Sequence, residues 1–133
     1  MNGSSISEEK FISYLSEEIG VKPLDEDEYE NKIIGITNKQ SVDAVFKIKD
    51  KYLVVEYDGS YWHKNRFLYD KQKSLLILKS NNYLIRVREQ TVGINLEYLD
   101  IDDNNLFQIK YKWDRNYKFL QICKEIGECI TII

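Results

Sequence analysis

The segment VEYDGSYWHKNRFLYDKQKS, residues 55–74, is where this chain switches from one backbone period to another. Its front end continues YLVVEYD (52–58), whose β-branched and aromatic residues mark a strand. Past Gly59 the pattern becomes leucines among lysines. Leu68, Leu75, Leu76 and Leu78 predict a helix from about Phe67 to Ser80, stopped at Asn81–Asn82. YLIRVR (83–88) then alternates as a strand again. Strand, helix, strand in that order predicts an α/β sheet. Side chains two apart on a strand share a face, so Glu56 and Asp58 project together. The single histidine, His63, follows five residues after Asp58, and Asp70, Lys71 and Lys73 open the helix.

Working outward, SVDAVFKI (41–48) is an earlier strand, joined to 52–58 through Asp50–Lys51 as a hairpin. A hairpin centred there sets Asp43 opposite Asp58, roughly 5 Å across the pair. KIIGIT (32–37) reads as a further short strand. Near the start, SISEEKFISYLSEEIG (5–20) is an amphipathic helix: Phe11, Ile12, Leu15 and Ile19 recur at helical steps, and Gly20 ends it. Pro23 and the acidic DEDEYE (25–30) form a loop. Downstream, FQIKYK (107–112) is a strand and WDRNYKFLQICKEIG (113–127) a closing helix. The expected order is αβββαβ followed by a strand and a helix, in one domain spanning 1–133.

A chain of 133 residues buries one core without staples. No apolar run reaches the length of a membrane span, and MNGSSISEEK has no apolar signal core. The expected setting is cytoplasmic, or the nucleus or a viral factory in a eukaryotic or viral context; secretion and membrane partners are not expected. Cys123 and Cys129 match neither CxxC nor a zinc pattern and read as ordinary thiols. The net charge of −3 hides an asymmetry: residues 1–30 carry nine acidic side chains and two lysines, the remainder seventeen Lys/Arg and thirteen Asp/Glu. That excess permits a nucleic-acid face without establishing one.

Asp43, Glu56 and Asp58 at one sheet end repel one another unless a cation sits among them. Hard oxygen donors of this kind suit Mg²⁺, with Mn²⁺ as a substitute, and a main-chain carbonyl is expected close by. Such a site can hydrolyse a phosphodiester. His63 is the natural acid or base, and with the cation in place the neutral, base-like role is favoured. Lys71 and Lys73 could neutralise phosphate oxygens. Removing Asp58 is expected to relieve repulsion in the metal-free protein and raise its melting temperature. Trp62 either stacks on a base or, the more ordinary role, caps the sheet end and holds His63. Gly59 is expected to let the chain turn sharply. Arg115, Lys118 and Lys124 are a solvated helix face or phosphate contacts.

Residues 41–89 resemble nucleases of the restriction-endonuclease-like, PD-(D/E)xK, superfamily, and within it the branch of very-short-patch-repair endonucleases. The pattern is an Asp on one core strand, an E-x-D-G-x-x-x-H block on the next, and an Asp opening the following helix. Here these are Asp43, Glu56–Tyr57–Asp58–Gly59, His63 and Asp70. LIRVRE (84–89), with Arg86, Arg88 and Glu89, fits the strand after that helix. The resemblance implies the αβββαβ nuclease core, a mixed sheet flanked by helices, and a glutamate from the first helix near the metal, matched by Glu8. Val42 replaces the motif's proline, and Asp58 stands where a lysine is usual, so a catalytic lysine would come from Lys71 or Lys73. The branch shows the same substitution. The implied activity is a Mg²⁺-dependent endonuclease acting on DNA rather than RNA. Trp62, Lys64, Arg66, Arg86 and Arg88 are the expected nucleic-acid contacts. With no separate recognition domain, specificity would come from loops, a homodimer or a partner protein. The alternative is a non-catalytic nucleic-acid-binding or assembly module that keeps the nuclease fold. A third is a small-molecule enzyme or sensor with a metal in the acidic site. Retained carboxylates favour catalysis over the binding module, because unneutralised they repel phosphate.

Overall fold

A computed structural model describes residues 6–33, 36, 42–112, 124–126 and 128. Within them a mixed sheet of five strands is flanked by helices, an α/β architecture. Helix α1 (Ile6–Ile19) leads into the short α2 (Glu26–Tyr29), then strands β1 (Ala44–Ile48) and β2 (Lys51–Asp58). Two helices follow, the single turn α3 (Ser60–His63) and the longer α4 (Phe67–Lys79). Strands β3 (Tyr83–Thr91), β4 (Ile94–Asn95) and β5 (Leu106–Lys112) complete the described sheet.

β1 and β2 are antiparallel, whereas β2–β3 and β3–β5 are parallel. Parallel strands are covered on both faces, which is why β2 and β3 read as nearly continuous apolar runs. On one face Ala44, Phe46, Leu53, Val55, Tyr57, Ile85 and Val87 pack with Phe11 and Leu15 of α1. On the other, Val45, Val54 and Leu84 pack with Ile77 and Leu78 of α4. The alternation places Glu56, Asp58, Arg86 and Arg88 on the α4 face, at the carboxyl ends of β2 and β3. Open α/β sheets collect ligands at that end.

Three expectations change, the first being that the acidic stretch 25–30, expected as a loop, forms α2 over Glu26–Tyr29. The hairpin turns on Lys49–Asp50 instead of Asp50–Lys51: Ile48 pairs with Lys51, and Lys49 takes a left-handed φ of 55°. Ala44 therefore faces Val55, and the register carried one residue further puts Asp43 across from Glu56, not Asp58. The expected strand at 32–37 is not formed at its described positions. Lys32 lies in a turn that follows the left-handed Asn31, and Ile36 N–H donates to Ile33 O at 3.2 Å. Ile33 and Ile36 are apolar because that turn packs on the α4 face with Tyr29 and Val42. The hairpin joining β3 to β4, turned on Val92 and a left-handed Gly93 (φ 82°), was not foreseen. Of the expected closing helix, residues 124–126 are helical, and residue 128 past its expected end is helical too; Arg115, Lys118 and both cysteines lie outside the described residues. No described helix is long and apolar enough to cross a membrane.

Candidate active site

The parallel register sets Glu56 beside Arg86 and Asp58 beside Arg88. Arg86 Nη1 lies 2.7 Å from Asp58 Oδ1 and 3.7 Å from Glu56 Oε2. Arg88 Nη1 bridges Asp58 Oδ2 at 3.0 Å and Asp70 Oδ2 at 2.9 Å. Both Nε donors are used as well: Arg86 Nε donates to Ser74 Oγ at 2.7 Å, and Arg88 Nε to the Glu97 carbonyl at 3.0 Å. Arg86 is 0% exposed and Arg88 1%. This corrects their assignment as nucleic-acid contacts. Charges in a strand covered on both faces must be paired internally, and both guanidiniums are committed to carboxylates. The expected state of Asp58 is corrected by the same contacts, because two buried arginines already balance it.

His63 ends the single turn α3, and Asp70 lies in the first turn of α4 above it. His63 Nδ1 is 2.9 Å from Asp70 Oδ2, 3.1 Å from Oδ1, and 3.6 Å from Asp58 Oδ1. Burial works to raise the Asp70 pKa. The His63 hydrogen bond and charge, with Arg86 and Arg88, outweigh it and hold the carboxyl below its ordinary value. An ionised Asp70 accepts, so Nδ1 is a protonated nitrogen, and in the neutral imidazole it is Nε2 that carries the lone pair. The imidazole is 20% exposed, enough to meet solvent.

Asp58, His63 and Asp70 offer ligand atoms within 4.8 Å of one another and could hold a metal ion. A second set of carboxylates lies beside this group, on β2, on α1 and just before β1. Asp43 Oδ2 accepts the Tyr57 N–H, and Asp43 interacts with Glu56 and with Glu8 of α1. Burial, then Glu56, then Glu8 push the Asp43 pKa up from 3.8 to about 8, against the pull of the Tyr57 hydrogen bond. Glu56 is raised too, mainly by burial, although Lys73 and Arg86 draw it down. Lys73 Nζ is buried 3.2 Å from Glu56 Oε2. Arg86, Arg88 and Lys73 match Asp58, Asp70 and Glu56, leaving the Asp43 charge without a matching cation among these residues. At neutral pH it either keeps a proton or shares a cation with Glu56. Carboxylate oxygens of this kind fit Mg²⁺ or Mn²⁺. The expected metal set thus divides: Asp43 lies with Glu56 and Glu8, and Asp58 belongs with His63 and Asp70.

Lys71 is corrected outright. It reaches away from the site to Asp100, 3.0 Å from Oδ2, so Lys73 alone of the two faces the carboxylates. Trp62 does not cap the sheet. It is 63% exposed beside Tyr61, 62% exposed, in an edge-to-face pair with centroids 5.2 Å apart. Lys64 Nζ lies 4.5 Å from the Tyr61 ring centroid, and the Arg66 guanidinium 4.1 Å from that of Tyr69. These basic and aromatic side chains form a surface around the exit from β2. Lys124 is exposed. Gly59 has φ −60°, and a Cβ there would sit 3.8 Å from Trp62 Cδ1, so the turn does not depend on glycine. Ser60 and Glu89 form a contact that sequence reasoning missed: Glu89 Oε1 accepts the Ser60 N–H at 3.0 Å. A lone serine and a strand-end glutamate carry no pattern that would pair them. Comparison with family models, curated proteins and solved structures finds no match for this chain.

Proposed function

We propose that this chain is a metal-dependent endonuclease that hydrolyses phosphodiester bonds in nucleic acid, DNA before RNA, on a restriction-endonuclease-like core. One observation carries the reading: two carboxylates, Asp43 and the buried Glu56, lie on the strand pair leading to a histidine whose Nδ1 is pinned by Asp70 and whose ring meets solvent. The E-x-D-G-x-x-x-H pattern and its likeness to the very-short-patch-repair branch support it.

Asp43 and Glu56, with Glu8 beside them, would hold Mg²⁺ or Mn²⁺. Bound there, the ion supplies Lewis-acid polarisation of the phosphoryl oxygen and eases deprotonation of a water. His63 takes the proton of the attacking water at Nε2. Asp70 fixes the tautomer and stabilises the imidazolium that results. Asp70 stays ionised in this role because Arg88 and Arg86 compensate it from below. Lys73 favours the charged form of Glu56 against its burial and so supports it as an oxygen donor. Lys64 and Arg66 are exposed on the approach to His63, where they can meet phosphates, and Trp62 offers a ring face to a base.

Cleavage of plasmid, linear duplex, single strand and RNA with Mg²⁺ or Mn²⁺ tests this. The wild type should cut at least one of them, and chelation should stop it. His63→Ala should bind Mn²⁺ as the wild type does and lose about 10²- to 10⁴-fold in rate. Binding of nucleic acid without cleavage under every condition would establish the non-catalytic module instead.

A further inference from the structure

The hydrogen bond between His63 and Asp70 joins two different helices, and each is tied to the same strand. Asp70 is held by Arg88 Nη1 at 2.9 Å. The next residue of β3, Glu89, points to the opposite face, where its carboxylate gathers three donors. Tyr57 Oη donates to Oε2 at 2.9 Å, while Ser60 N–H and Ser60 Oγ donate to Oε1 at 3.0 and 3.2 Å. Ser60 Oγ also lies 2.8 Å from Thr91 Oγ1. With the serine proton directed to Glu89, the Thr91 hydroxyl donates to Ser60, and the chain of donors is consistent throughout.

Ser60 is the first residue of α3, and His63 is the last. A helix of one turn has almost no stability of its own, since nucleation fixes several dihedrals for a single hydrogen bond. Gly59, at the N-cap, has no side chain to accept the first free N–H groups. Glu89 takes that part from a strand twenty-nine residues away. The turn then closes through the His63 N–H to the Gly59 carbonyl at 3.1 Å. Rotation of α3 about its start would swing the imidazole off Asp70.

We infer that Glu89 is a positioning residue for His63, holding the start of α3 through Ser60 while its neighbour Arg88 holds Asp70, so that one strand sets both ends of the His63–Asp70 hydrogen bond. The inference rests on the nuclease reading only for the reaction that His63 serves. Supporting groups of this type change activity by about 10- to 100-fold when removed, and a displacement of about 1 Å has a similar effect.

The chain has one histidine, so its imidazole resonances need no assignment. Proton–nitrogen NMR of the full protein should show in the wild type a slowly exchanging Nδ1–H bonded to Asp70. Glu89→Ala should lose or broaden that signal with the sheet amides unchanged, and should lower kcat about 10- to 100-fold with KM held. Glu89→Gln keeps an acceptor oxygen for Ser60 and should restore most of both. An Nδ1–H signal in folded Glu89→Ala that matches the wild type overturns the inference. If Glu89→Ala fails to fold, Tyr57→Phe removes one donor from the same carboxylate: a weakened signal supports the inference and an unaltered one overturns it. A wild type without cleavage activity refutes the nuclease reading, while the NMR signal still decides the role of Glu89.

Discussion

Asp43→Asn should make the metal-free protein more stable at alkaline pH, and the gain should vanish in acid. Asp43 titrates at about 8 in the folded chain against an ordinary 3.8. The folded state therefore binds this proton more tightly than the unfolded state does. The associated stability is complete below pH ~4 and is lost as pH rises through about 8. At about 1.4 kcal/mol per pH unit, the interval sets a ceiling of about 6 kcal/mol. Asp43, Glu56 and Glu8 share the repulsion and solvent screens the exposed Asp43, so about a quarter of that is the working expectation. Asparagine is neutral at every pH and keeps an oxygen for the Tyr57 N–H. Urea unfolding in chelator at pH 5 and pH 9 measures the difference between variant and wild type, which isolates this group from the others. The variant should gain about 1–2 kcal/mol at pH 9 relative to its difference at pH 5. Mg²⁺ or Mn²⁺ should then stabilise the wild type and leave the variant nearly unmoved. Equal pH dependence of the two proteins, or equal stabilisation by the ion, would refute both the crowding of carboxylates and the cation assigned to them.

Asp58→Ala should destabilise by about 3–5 kcal/mol, because Arg86 and Arg88 lose a shared buried acceptor; a raised melting temperature would reverse the argument. Lys71→Ala, which breaks only an ion pair with an exposed Asp100, should leave stability nearly unchanged and the cleavage rate intact. Lys73→Ala should instead disable the site, with Glu56 left buried and uncompensated; equal rates for the two variants would contradict the placement of Lys73. Trp62→Ala should leave folding within about 0.5 kcal/mol and weaken single-strand binding by about 1–3 kcal/mol in a fluorescence-anisotropy titration. Unchanged binding there would remove Trp62 from the nucleic-acid surface.

The sequence by itself determined what repeats at short range. Period-two alternation put Glu56 and Asp58 on one face of β2, and the apolar runs located β2 and α4 within a residue and the start of β3, which runs three residues past Arg88. Those signals are legible because strand and helix periods are properties of the local backbone. Strand identity at 32–37 was not legible, since Ile33 and Ile36 are apolar for packing in a turn that no period describes. The hairpin register also escaped, because a left-handed Lys49 moves the turn by one position and exchanges the carboxylate opposite Asp43. Only the tertiary structure decided which charges are spent and which remain. The parallel pairing of β2 with β3 brings Arg86 and Arg88 under Asp58 across about thirty residues of chain. Three acids that look equivalent in sequence therefore separate into a compensated Asp58, a Lys73-bound Glu56 and an Asp43 that still attracts a proton or a cation. Charge compensation in a buried layer depends on which strands become neighbours, and residue spacing along the chain carries no information about that.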